Sequence, residues 1–150
     1  DTIEIRIDEQ EAIALWKDNN KIFLINKNGS IIKETQELDT TNLITISGNN
    51  ALDKIKELNN ILESSPEIAK KITFAKLISN RRWSLKYNNN LNIELPEKNP
   101  VEAIKLLENV DKKHGLLSHN LSSIDLRIEE RMVLKLGRGI VSSMTSEKDI

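Results

Sequence analysis

Chemistry in this chain would have to come from His114 and His119, from the carboxylate pairs Glu9/Glu11 and Glu129/Glu130, and from Arg81, Arg82 and Arg127. The two histidines are five residues apart with Gly115 between them, so they do not share a helix face as metal ligands at i and i+4 do. They read as a helix-terminal and a loop histidine, and no metal site is expected. No Gly-x-Ser-x-Gly elbow accompanies the many serines, and no Gly-rich phosphate loop occurs; Gly137 and Gly139 flank Arg138 but open no helix. The glutamate pairs fall in turn-like sequence, where carboxylates are solvated, and no pocket that would suit them for general acid or base work can be inferred. No catalytic residue and no cofactor site is therefore assigned. Arg81-Arg82-Trp83 offers planar faces that stack on nucleic-acid bases, but the same triplet on a strand turns Trp83 inward and lets the arginines meet carboxylates, which is the expected arrangement. Asp125 and Arg127 share one strand face opposite Leu126, so Arg127 pairs either with Asp125 or with an acidic partner.

The elements that hold these residues are legible from periodicity. Ile124, Leu126 and Ile128 alternate with polar residues, and Met132, Leu134 and Leu136 do so again beyond Glu129-Glu130, which predicts two half-buried strands around a tight acidic turn. The second of them, residues 131–136, is expected to be the last strand of the fold, and a last strand is often an edge able to accept a strand from another protein. Upstream, residues 12–25 predict a hairpin with a longer loop, Asn28-Gly29 a turn into a strand at Ile31-Ile32, and 43–46 a short strand ended by Ser47-Gly48. Leu52, Ile55, Leu58 and Ile61/Leu62 mark one helix face, with Asn50 and Asp53 as a start signal, and Ser65-Pro66-Glu67 restarts a short helix. Three strands follow as an antiparallel meander over 73–95, and then a second long helix. Asn99 and Pro100 open it, Val101, Ile104, Leu107 and Val110 form its buried face, and Lys112, Lys113, His114 and Gly115 close it. Strands and helices do not strictly alternate, so the class is α+β: a mostly antiparallel sheet with two main helices packed on it.

Composition narrows the function classes. The chain has 150 residues, 38% hydrophobic, enough for one ordinary core. A net charge of −1 lacks the electrostatic attraction of a non-specific nucleic-acid binder, so no nucleic acid is expected as a partner. The absence of cysteine removes disulfides and thiolate chemistry and leaves the compartment open. Apolar runs are too short for a membrane span. Residues 2–8 alternate as a strand whose pairing partners would lie upstream, so the chain reads as a fragment.

Several separated segments, in order, resemble the extracytoplasmic part of the bacterial cell-division family FtsQ (DivIB in Gram-positive bacteria). Residues 9–16, E-Q-E-A-I-A-L-W, are similar to the family's E-R-x-P-x-A-x-W junction between its POTRA and β domains, with Ala12 where the family has proline. Asn28-Gly29, Gly48 before a helix, Arg81-Arg82-Trp83-Ser84-Leu85, Leu95-Pro96-Glu97 and Ser123-Ile124-Asp125-Leu126-Arg127 continue the match over nearly the whole chain.

The resemblance implies three parts: residues 1–10 as the final strand of a POTRA domain, 11–137 as an FtsQ-type β domain, and 138–150 as a flexible tail outside the fold. It implies a non-enzymatic divisome scaffold, anchored in the inner membrane by a single span, with this part in the periplasm at the septum. Such a scaffold binds FtsB and FtsL, meets further divisome proteins, and links early and late steps that control septal peptidoglycan synthesis. The implied mechanism is β-strand addition. The expected contact residues are Arg127, Ile128, Arg131, Met132, Val133, Leu134, Lys135 and Leu136, with backbone pairing along 131–136 and an outward N–H at Val133. The alternatives are a generic periplasmic binding module, an enzyme of unrecognised family, or weak self-association through the same edge.

Overall fold

The protein is described here by a computed structural model covering residues 11–36, 42–137 and 144–145. The expected POTRA strand at 2–8 and the Glu9 end of the junction motif lie outside the described residues. Among those described, ten strands form one sheet in the order β10-β9-β8-β7-β6-β5-β4-β1-β2-β3. β1 (Ala14–Asp18) and β2 (Lys21–Ile25) are joined by Asn19-Asn20 alone, Asn19 taking φ 56°, so the hairpin is tight where a longer loop was expected. β3 (Ile31–Thr35) pairs with β2 across a turn in which the Asn26 carboxamide oxygen accepts the N–H groups of Asn28 and Ser30, each at 3.0 Å. Gly29 in that turn has φ +83°, and a Cβ there would stand 2.6 Å from the carbonyl oxygen of Leu52, so the turn packs directly on the next helical segment.

β4 (Ile44–Ser47) leads through a 3₁₀ turn (Ala51–Lys54) into α1 (Ile55–Ser64) and α2 (Pro66–Ala69), then β5 (Ile72–Ile78), β6 (Arg82–Tyr87) and β7 (Leu91–Glu94). α3 (Pro100–His114) returns the chain to β8 (Leu121–Asp125) and β9 (Val133–Leu136). The sheet is mostly antiparallel, as expected, but β1–β4, β4–β5 and β7–β8 are parallel. Two of these parallel neighbours are separated in sequence by a helical crossover, α1 with α2 and then α3, which is what parallel pairing requires. Neither Asn50 nor Asn99 caps its helix through its side chain: both adopt the left-handed conformation. An N-cap side chain reaches the first-turn amides from extended backbone, so these asparagines serve as tight bends instead. Gly115 does close α3 in the left-handed conformation, its N–H donating to Asp111 O at 2.7 Å.

The apolar stripes Ile55, Leu58, Ile61 of α1 and Ile104, Leu107, Val110 of α3 bury against alternate residues of the sheet, chiefly Trp83, Leu85, Ile93, Ile124 and Leu134, in one core. The helices touch each other and thus cover the same sheet face. Trp83 is 1% exposed and donates its indole N–H to Glu57 Oε1 at 3.1 Å, tying β6 to α1.

The end of the sheet differs from expectation. The tail was expected outside the fold, yet β10 (Met144–Thr145) lies antiparallel on β9, Met144 opposite Leu134 and Thr145 opposite Val133. The 131–136 strand begins only at Val133, because Arg131 gives its N–H to Ile128 O at 3.1 Å in a turn where Glu130 takes φ 61°. β8 stops at Asp125 rather than running to Ile128.

Candidate functional site

The loop from Leu126 to Met132 and the strand β9 carry the residues expected to meet a partner. Leu126 donates its N–H to Glu94 O at 2.9 Å and remains buried beyond the end of β8. The next N–H, of Arg127, goes to Asp125 Oδ1 at 2.9 Å, which takes it out of the sheet ladder and ends the strand. The guanidinium folds back on the same carboxylate, Nη2 at 2.7 Å from Oδ2 and Nε at 2.9 Å from Oδ1. Of the two pairings open to Arg127, the internal one with Asp125 is thus made. Its side chain is still half exposed, and a fork that engages Asp125 through Nε and Nη2 retains Nη1 donors for a second acceptor.

Burial pushes the Asp125 carboxyl upward, but the side-chain and backbone hydrogen bonds from Arg127, with the charges of Arg127 and Arg82, outweigh it and hold the group below the usual carboxylate range. Arg82 itself meets Glu94 at 2.7 Å, and Ser84 Oγ donates to the other Glu94 oxygen at 2.8 Å. With Arg81 4.0 Å from Glu97, the arginines of the 81–83 triplet meet carboxylates and Trp83 points inward, as the sequence reading had it.

Between the loop and α3 lies an open cleft of about 580 Å³. Ile128 (54% exposed) and Leu106 (40%) are the exposed large apolar side chains of its lining, Arg127, Arg131 and Lys98 carry positive charge at its wall, and Glu97, Glu102, Glu129 and Glu130 negative charge. Arg127, Ile128 and Arg131 are thereby brought together. Met132 and Leu134 are buried, so their side chains belong to the core and not to a contact surface; Val133 and Leu136 are half-buried and Lys135 is exposed. Leu106 was missed by sequence reasoning. The signal for it was its position beside, and not within, the Ile104-Leu107-Val110 stripe.

The directions of the β9 amides follow from parity. The Leu126 N–H points to β7, so the main-chain groups of Asp125 point the other way, to β9, where its opposite residue is Val133. Gly137 N–H donates to Asn120 O at 3.0 Å, which turns Lys135 and Val133 towards β8 by the same alternation. Val133 therefore donates inward, against expectation, and the outward N–H groups of β9 are those of Leu134 and Leu136. On that outer side, among the described residues, β10 faces Leu134 and Val133.

Among the described residues, no three His, Asp or Glu side chains converge as metal ligands. His114 ends α3 and His119 follows the 3₁₀ turn Leu116–Ser118. No described helix is long and apolar enough to cross a membrane.

Residues 14–127 match the family model described as cell division protein FtsQ/DivIB, C-terminal. The chain is similar to the cell division protein FtsQ of Rhizobium radiobacter, 30% identical over 138 residues that cover 92% of this chain and 66% of that one. To FtsQ of Rickettsia bellii it is 33% identical over 134 residues, covering 89% and 50%. A solved structure of the major extracytoplasmic domain of the cell division protein DivIB from Geobacillus stearothermophilus aligns with a TM-score of 0.49 at 14% identity, covering 70% of this chain and 93% of that one. The chain thus spans about half to two thirds of the length of these two curated relatives. The family match runs from the first residue of β1 past the end of β8 to Arg127, leaving β9 beyond it, and on that span the chain belongs to the FtsQ/DivIB family of cell division proteins.

Proposed function

We propose that this chain is the periplasmic partner-binding part of a divisome scaffold, held at the septum by a single inner-membrane span elsewhere in the whole protein. It binds FtsB, and with it FtsL, by strand addition at β9, and does no chemistry of its own. The observation that carries this reading is the position of β9 near the end of the sheet, with two outward amides, beside a cleft that displays Arg127 and Ile128. Backbone bonds to the outward groups of Leu134 and Leu136 supply affinity without regard to sequence, and the cleft supplies choice of partner. An acidic residue of the partner meets the free side of Arg127, and an apolar one fills the space between Ile128 and Leu106. Arg131 and Lys135 add positive charge along the approach, while Met132 and Leu134 hold β9 to the core.

Proline tests the register. Leu136→Pro removes an outward donor and places its ring in the path of an added strand, so binding of a peptide from the C-terminal segment of FtsB should weaken at least tenfold, about 1.4 kcal/mol, with the far-ultraviolet spectrum unchanged. Val133→Pro instead breaks a bond to β8 and should lower the melting temperature. A folded Leu136→Pro chain that binds the peptide as the parent does refutes strand addition at this edge.

A further inference from the structure

The outer side of β9 already has an occupant. Met144 lies opposite Leu134 and Thr145 opposite Val133, antiparallel, at the very position where an added strand would begin. The sequence around them is suited to this: residues 140–146 carry no charge and no proline, and include the β-branched Ile140, Val141 and Thr145. Six residues separate Gly137 from Met144, ample for an antiparallel return.

From this pairing, and resting on the docking role assigned to β9, we infer that the chain's own C-terminal strand is an autoinhibitory latch. Main-chain groups of Leu134 cannot bond to Met144 and to a partner strand at once, so self-pairing and partner pairing exclude each other. The latch is built to yield. Among the described residues it meets two positions of β9, whereas an incoming strand can pair along all four, Val133–Leu136. Two ladder positions contribute little beyond the entropy of ordering the residues that make them. A latch of that strength is closed about one to nine times as often as open and weakens apparent partner affinity by the inverse of the open fraction, on the order of 2- to 10-fold. Every strand that needs the Leu134 groups is weakened by the same factor, so its consequence is a raised threshold: pairings already weak, including those with other copies of this chain, become weaker still, and the edge is partly shielded from non-specific pairing.

Met144→Pro in the full chain removes the latch's central donor and leaves the β domain intact. Two readouts are needed. Amide exchange at Leu134 in the chain alone should accelerate several-fold in the variant, with exchange in α1 and α3 unchanged. Affinity for the C-terminal FtsB peptide should rise 2- to 10-fold. Unchanged exchange at Leu134 overturns the latch whatever the peptide does. Faster exchange with unchanged affinity, for a peptide that does protect β9, overturns its regulatory role. A peptide that protects β9 in neither chain refutes the docking reading, and the inhibitory role with it, while the exchange comparison still reports whether β10 closes on β9.

Discussion

The Trp83–Glu57 bond ties α1 to the sheet core, and its removal has a calculable effect. Trp83 is 1% exposed, and its indole N–H lies 3.1 Å from Glu57 Oε1, whose residue is half-buried. Trp83→Phe loses roughly 40 Å² of buried apolar surface, which at about 25 cal/mol per Å² is roughly 1 kcal/mol. It also loses a hydrogen bond to a carboxylate, about 1 kcal/mol for an acceptor that water can partly reach. The sum of about 2 kcal/mol, with a urea slope of about 2 kcal/mol per molar, lowers the denaturation midpoint by about 1 M. Glu57→Ala alone should cost about 1 kcal/mol, and the double variant should be no worse than Trp83→Phe by more than a few tenths, a coupling of about 1 kcal/mol. Urea melts of the four chains followed by circular dichroism measure the cycle. A coupling under about 0.3 kcal/mol, within the additivity of independent sites, refutes the tie.

Three further outcomes follow from the geometry. Because the folded-state pKa of Asp125 lies below its unfolded value, its stabilisation is present above the ordinary carboxylate range and is lost as pH falls through the folded value; Asp125→Asn should remove that part of the acid-side fall in melting temperature, and parallel curves for the two chains would contradict the Arg127 pairing. Gly29→Ala combines a left-handed backbone with a Cβ 2.6 Å from Leu52 O and should cost about 2–3 kcal/mol in a urea melt, whereas a loss under about 0.5 kcal/mol would mean the turn is not pressed on the 3₁₀ segment. Charge reversal by Arg127→Glu should weaken the FtsB peptide at least tenfold through the cleft while sparing the β9 ladder; equal binding would place the cleft outside the interface.

What was readable in the sequence was the local pattern. The α3 stripe of Ile104, Leu107 and Val110, its C-terminal Gly115, and the alternation of Trp83, Leu85 and Tyr87 are each set by neighbours a few residues away, and each appears as expected. The parallel pairings of β4 with β5 and β7 with β8 depend on how α1 and α3 fold back, which periodicity does not encode. The partner of Trp83 lies 26 residues upstream and left no local trace. Ile128 continued the alternation of Ile124 and Leu126, so β8 seemed longer than it is; Asp125 ends it by capturing the Arg127 N–H, a use of the carboxylate that the face-sharing of Asp125 and Arg127 hinted at without revealing its backbone half. The same blindness to amide direction put the Val133 donor on the wrong side. β10 escaped notice because two residues in a Ser/Thr run have no periodicity to read.

The claim that β9 is a docking strand is tested most directly by amide hydrogen exchange of residues 120–137 in the full chain, with and without the C-terminal FtsB segment. New protection at the outward Leu136 amide, deepening at Leu134, with α1 and α3 unaffected, is the predicted result. Protection confined to the helices, or none along β9 at saturating peptide, would contradict it.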